Sequence, residues 1–121
     1  MGKWQIDAML DDALNYISAN ATELYVCTTQ PATRADCTGA LGLTGAAIPS
    51  FQAKANGDVS GRKLTVDSEV DIPITSTGDA QHIALCSGTV LLYVTTCTLQ
   101  NLTLGGTVTT PAWDIELADA T

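Results

Sequence analysis

The apolar positions of the chain change period once, after about twenty residues. Between residues 5 and 19, Ile6, Leu10, Ala13/Leu14 and Ile17 recur at steps of three and four and define one apolar stripe, the mark of a half-buried helix. Asp7, Asp11 and Asp12 gather in its N-terminal half, where the helix dipole favours anions. Asn20 suits the C-terminal cap. The pattern predicts a helix from about Trp4 to Ala19.

Beyond it the reading is of short strands. Glu23 to Thr29 is β-branched and aromatic and ends at Gln30-Pro31, because proline cannot donate to a ladder. Residues 34–47 are small and carry Gly39, Gly42 and Gly45, which reads as a long loop or weak edge strand. A short strand near Ser50–Ala55 leads into the turn Asn56-Gly57-Asp58, and extended chain resumes from Gly61 to Val66. Residues 66–72 alternate, with Val66, Ser68, Val70 and Ile72 on one face and Asp67, Glu69 and Asp71 on the other. After Pro73 and the turn Thr77-Gly78-Asp79, the strongest β signal runs from Ala80 to Thr98. Ser87-Gly88 would serve there as a two-residue hairpin turn, setting Ile83 against Leu92, Leu85 against Val90, His82 against Tyr93 and Ala84 against Leu91. A turn at Gly105-Gly106 precedes Thr107–Ala118, a strand interrupted at Pro111. Six to eight such strands at these turn spacings predict a mainly β fold. The expectation is an antiparallel β-sandwich or jelly-roll-like barrel with one N-terminal α-helix across an open end or face. All of 1–121 forms a single domain in this reading, helix over 4–19 and sandwich over 23–118.

Charge narrows the partners. The chain has thirteen acidic and five basic residues in 121, a net charge of −8 and a pI near 4.1. That balance argues against nucleic acid, whose binding rests on Lys and Arg neutralising phosphates. No apolar run approaches the length of a membrane span, so no membrane partner is expected. The N-terminus has no positive region followed by an apolar stretch, and Ile6 stands where a myristoylation motif needs Ser or Thr. Synthesis in a cytosol is the expectation. Only 15% of residues are charged, against about 25% in ordinary soluble domains. Thr, at 18 positions, carries much of the polar load with Ser, Asn, Gln and Gly. Surfaces covered by partners are depleted of Lys and Glu in this way, so much of this surface is expected to face other subunits.

Candidate chemistry is sparse. Cys27, Cys37, Cys86 and Cys97 are candidate disulfide residues, and four cysteines allow three pairings. No Cys-x-x-Cys is present and the chain has one histidine, so a zinc site is not expected. With Ser87-Gly88 as the turn, Cys97 lies too far along its strand to reach Cys86. Cys27 with Cys37 is easier, Cys97 can meet another subunit, and all four can remain reduced as small hydrophobes. Asp67, Glu69 and Asp71, like Asp114 and Glu116, offer oxygens for Ca²⁺ but lack calcium-loop spacing. A wet sheet face that discourages edge pairing explains them better. His82 is the sole imidazole and no G-x-S-x-G occurs, so no catalytic residue, metal or cofactor is assigned and the chain is not expected to be an enzyme. Lys54, Arg62 and Lys63 are three of the five basic residues. Their segment does not match a phosphate loop, and it is either an exposed hairpin turn or a patch for an acidic neighbour.

Several stretches carry a resemblance: Ala13-Leu14-Asn15-Tyr16-Ile17 in the helix, Leu24-Tyr25-Val26-Cys27-Thr28-Thr29-Gln30-Pro31, Ser60-Gly61-Arg62-Lys63-Leu64-Thr65-Val66, Thr77-Gly78-Asp79-Ala80-Gln81-His82-Ile83-Ala84-Leu85, and Pro111-Ala112-Trp113-Asp114-Ile115-Glu116-Leu117 with a short polar tail. In this order, over most of the chain, they resemble small β-rich structural proteins encoded among the virion genes of tailed bacteriophages. That resemblance implies a head decoration, or cement, protein on the capsid surface of the virion. Its partners would be the major capsid protein and further copies of itself, as a homo-oligomer such as a trimer. Contacts would come from the N-terminal helix with Trp4, from Lys54, Arg62 and Lys63, and from the C-terminal tail with Trp113. Cysteines would reinforce the particle through disulfides formed after lysis. The alternative within the same class is a carbohydrate- or receptor-binding β-module of a tail fibre or baseplate, for which Trp4, Trp113, Phe51 and three tyrosines are the available aromatics.

Overall fold

The computed structural model describes residues 6–58 and 60–117. In chain order the elements are α1 (Asp7–Asn20), β1 (Glu23–Cys27), α2 (Arg34–Thr38), β2 (Ala55–Asn56), β3 (Arg62–Val66), β4 (Glu69–Pro73), β5 (Gly78–Cys86), β6 (Leu91–Leu102), β7 (Thr107–Thr110) and β8 (Trp113–Leu117). The protein is mainly β, with three antiparallel sheets in a sandwich-like arrangement and a helix at the N-terminal end. The sheets have the orders β1-β5-β6, β2-β3-β8 and β4-β7. Among the described residues no helix is long and apolar enough to cross a membrane.

Helix α1 forms where the apolar period predicts it, but only part of the stripe is covered. Leu10 and Leu14 are buried and Ile17 packs on the main core. Ile6 and Ala13 turn outward instead. The helix ends as Ala21 N–H donates to Ile17 O at 2.8 Å and the Asn20 amide donates to Tyr16 O at 2.8 Å. Trp4 lies outside the described residues.

The main core takes Leu14 from α1, Leu24 from β1, Leu64 and Val66 from β3, Ile72 from β4, Ile83 and Leu85 from β5, and Ile115 from β8. Strand alternation sends Tyr25, Cys27, Ala84 and Cys86 to the opposite face of the first sheet, where Cys37 of α2 covers them. Strands β1 and β5 are therefore covered on both faces over residues 24–27 and 83–86. Helix α2 lies in the stretch expected to be loop or weak strand. Its local signal is Thr33-x-x-Asp36: the Thr33 hydroxyl accepts from Asp36 N–H at 3.2 Å, and Asp36 Oδ2 accepts from Ala32 N–H at 2.9 Å, close to a capping box.

Two expected registers are corrected. The hairpin turn is not Ser87-Gly88 alone, because the Ser87 hydroxyl accepts from the backbone N–H of Thr89 and of Val90 at 3.2 and 3.0 Å. Ser87 N–H also donates to Val90 O at 2.9 Å, so the turn spans Ser87–Val90, a serine mimicking backbone as such residues do in turns. Together with a bulge at Leu85/Cys86, this sets Ile83 against Thr95, Ala84 against Val94, Leu85 against Tyr93 and His82 against Thr96. The second correction concerns the carboxylates. The pairing of β4 shifts between Glu69 and Ile72, and Asp71 sits at φ 55, a left-handed conformation that aspartate tolerates better than most residues. This kink throws Val70 outward, 65% exposed. Asp67 instead accepts from the side chains of Ser50 and Gln52 at 2.9 and 3.0 Å. The three acids do not form one ladder face.

Candidate functional site

The cysteines are thiols. Cys27, Cys37 and Cys86 are buried and Cys97 is half-buried. Cys86 Sγ–H approaches Cys37 Sγ at 3.9 Å, a thiol contact well beyond the roughly 2.05 Å of an S–S bond. Of the alternatives the sequence left open, the structure holds the reduced one: Cys27 and Cys37 are not bridged, and α2 lays Cys37 over the sheet where Cys27 and Cys86 share one face. Burial raises the Cys27 thiol to about 11 and those of Cys37 and Cys86 to about 12. Burial also raises Cys97. The first three are packing groups, and Cys97 stands apart on β6.

The described basic residues hold partners at the surface of the same chain. Arg62 Nε lies 2.9 Å from Asp11 Oδ1 and ties β3 to α1. Lys63 Nζ bridges Asp58 and Asp114 at 2.9 and 3.4 Å, and Lys54 Nζ donates to Asn15 Oδ1. Arg34 grips Glu23 with two bonds of 2.7 and 3.0 Å, pinning α2 to the start of β1. All four cations among the described residues thus have partners within the chain, Arg34, Arg62 and Lys63 on carboxylates and Lys54 on a neutral amide. Asp58, Asp114 and Glu116 bring carboxylate oxygens within 4.8 Å of one another. Lys63 sits among them, Thr65 Oγ1 donates to Asp114 at 2.6 Å and Asp58 N–H donates to Glu116 at 2.6 Å. They form an exposed network in which one ammonium offsets only part of the charge of three carboxylates.

The Arg34–Glu23 pair gives the fold an acid sensitivity. The bidentate guanidinium holds the Glu23 carboxyl below its ordinary 4.5, so folding binds Glu23 more tightly as carboxylate than as acid. The stability this pair contributes is complete above about pH 4.5 and is lost as pH falls through the lowered folded value. Thermal melts of the parent chain and Glu23→Gln should therefore differ most near neutrality, with the gap closing in acid.

Trp113 does not stand as an exposed platform. It is half-buried and stacks on Tyr93, with ring centroids 5.9 Å apart and planes at 22°, joining β8 to β6. No family model, curated protein or solved structure matches the chain. Function therefore rests on what the surface itself presents. His82 is half-buried in β5, between Cys27 of β1 and Thr96 of β6 in the ladder, with a threonine and a thiol as neighbours there rather than a carboxylate.

Two surface features were not legible as such in the sequence. On α1 and its N-cap residue, Ile6, Met9 and Tyr16 are 55–61% exposed, and with Ala13 they fall at helical spacings on one outward flank. The second feature is a cleft of about 580 Å³ between the C-terminal half of β6 and β7, floored by Val26, Ile74, Ala80 and Ile83 and walled by threonines.

Proposed function

We propose that this protein is a structural, non-enzymatic virion component of a tailed phage, a decoration or linking subunit that binds and stabilises the major capsid lattice. The observation that carries the reading is the uncovered apolar flank of α1. A helix whose apolar sector extends past its own core contact is a ready surface for a partner, and Ile6, Met9, Ala13 and Tyr16 supply it. Electrostatics choose the partner's sign. With Arg34, Arg62 and Lys63 on carboxylates of the same chain and a net charge of −8, the complementary surface is apolar and basic. Summed over many copies, modest contacts of this kind hold a shell against internal pressure.

Co-sedimentation with expanded capsids tests the reading. The protein should pellet with capsids, and less of it should pellet as salt rises. Met9→Asp with Tyr16→Asp should abolish pelleting without lowering the melting temperature, since both side chains are exposed. A parent chain that stays in the supernatant at every salt concentration overturns the proposal.

A further inference from the structure

Strands β6 and β7 follow one another through a four-residue turn, Thr103–Gly106, in which Gly106 N–H donates to Thr103 O at 3.1 Å and Gly105 takes φ +93. Such neighbours ordinarily pair. Here they diverge: β6 pairs with β5, β7 pairs with β4, and each stands at the edge of its own sheet. The cleft of about 580 Å³ opens between them, within the size range of ligand sites.

Edge strands are normally defended by lysine, other charges or short length. Strand β6 runs 12 residues, LLYVTTCTLQNL, without one charged side chain, and β7, TVTT, has none either. Opposite Gln81 the β6 ladder also slips its register, so that Cys97, Thr98 and Leu99 bulge from the pairing. Among the described residues that line the cleft, none is Asp, Glu, Lys, Arg, His or aromatic, and five are threonine. Leu99 and Leu104, in or beside these lining segments, are 58% and 61% exposed.

We infer that this cleft is an acceptor site for an extended, uncharged strand of another protein, held by main-chain hydrogen bonds along the β6 or β7 edge. Charge decides the chemistry: a charged segment would be desolvated there with no counter-ion, whereas an alternating Thr/Val strand meets a wall of the same kind and adds to the sheet. A second copy of this chain is disfavoured as donor because it brings its own −8. Sugars and other ring-stacking ligands find no aromatic wall.

For the source of the strand, the inference rests on the capsid reading, while the site itself is tested without a capsid. The probe is an acetylated, amidated eight-residue peptide of alternating Thr and Val, titrated into isotope-labelled protein. Amide shifts and slowed hydrogen exchange should concentrate in β6 and β7. A peptide N-methylated at alternate amides, or one with alternate Val replaced by Lys, should bind about tenfold more weakly or worse. Cys97 lines the cleft, so alkylating it with a bulky maleimide should block the peptide, while Cys97→Ser protein treated the same way should still bind. Equal binding of the N-methylated peptide, indifference to the maleimide, shifts confined to another face, or self-association through β6 in place of peptide binding each overturn the inference. Peptide binding with no capsid pelleting would sink the virion reading alone. Capsid pelleting with no peptide binding would sink the cleft alone.

Discussion

Leu85→Ala should lower the free energy of unfolding by about 2–5 kcal/mol. Leu85 has no exposed surface and stands directly opposite Leu24, equally buried, in the β1–β5 ladder. Both belong to the core that receives α1, β3, β4 and β8. Removing the isobutyl group therefore loses its transfer free energy and leaves a void that several elements at once would have to move to fill. A domain of this size has about 5–15 kcal/mol in total, so the variant should unfold at a clearly lower urea concentration and approach the edge of stability at 37 °C. Val90→Ala is the control. Val90 is 50% exposed in the turn, and its truncation should shift stability by less than about 0.5 kcal/mol. Urea titrations followed by circular dichroism separate the two, and a Leu85→Ala midpoint equal to the parent's would contradict the core described above.

The second large effect is on thiol chemistry. Ellman's reagent at pH 8 should titrate Cys97 alone in the native protein and all four cysteines in urea. The thiolate is the nucleophile. At pH 8, thiols raised to about 11 and 12 are ionised in only about one molecule in a thousand for Cys27 and one in ten thousand for Cys37 and Cys86. Burial under α2 adds a steric barrier. The linkage has a definite sign. Because the folded values are raised, these thiols support folding fully below their ordinary value of 9.0 and lose that contribution as pH climbs toward 11 and 12. Alkaline unfolding should accordingly begin above pH 9 and be accompanied by the appearance of the three hidden thiols. Any covalent link between chains must use Cys97, so the Cys97→Ser protein should run as a single 12.6 kDa band with or without reductant.

What the residues announced and what they hid follow a physical division. Leu10, Leu14 and Ile17 announced α1 because covered positions on one element recur at its own period. They could not say where the cover stops, since Ile6 and Ala13 are apolar too and only the placement of β3 leaves them outside. The strand character of β5 and β6 was plain, yet their register was not. It turns on one hydroxyl, that of Ser87, competing for two backbone amides. Thr33 and Asp36 carried a readable start for α2, masked by the glycines that follow. Asp67, Glu69 and Asp71 alternate in sequence, but a single left-handed residue breaks the alternation in space. The cleft could not be read at all, because it depends on β6 and β7 joining different sheets, a tertiary choice that no local pattern encodes.

Pairing the described cations within the chain has a further consequence, in rates of encounter. Two copies approaching one another meet as bodies of like net charge, and the described cations already hold partners of their own, so their collisions are slowed rather than guided. A basic surface draws each copy in instead and can neutralise it on arrival. On the capsid reading proposed above, the chain would then stay dispersed while it accumulates and settle where positive charge is arrayed.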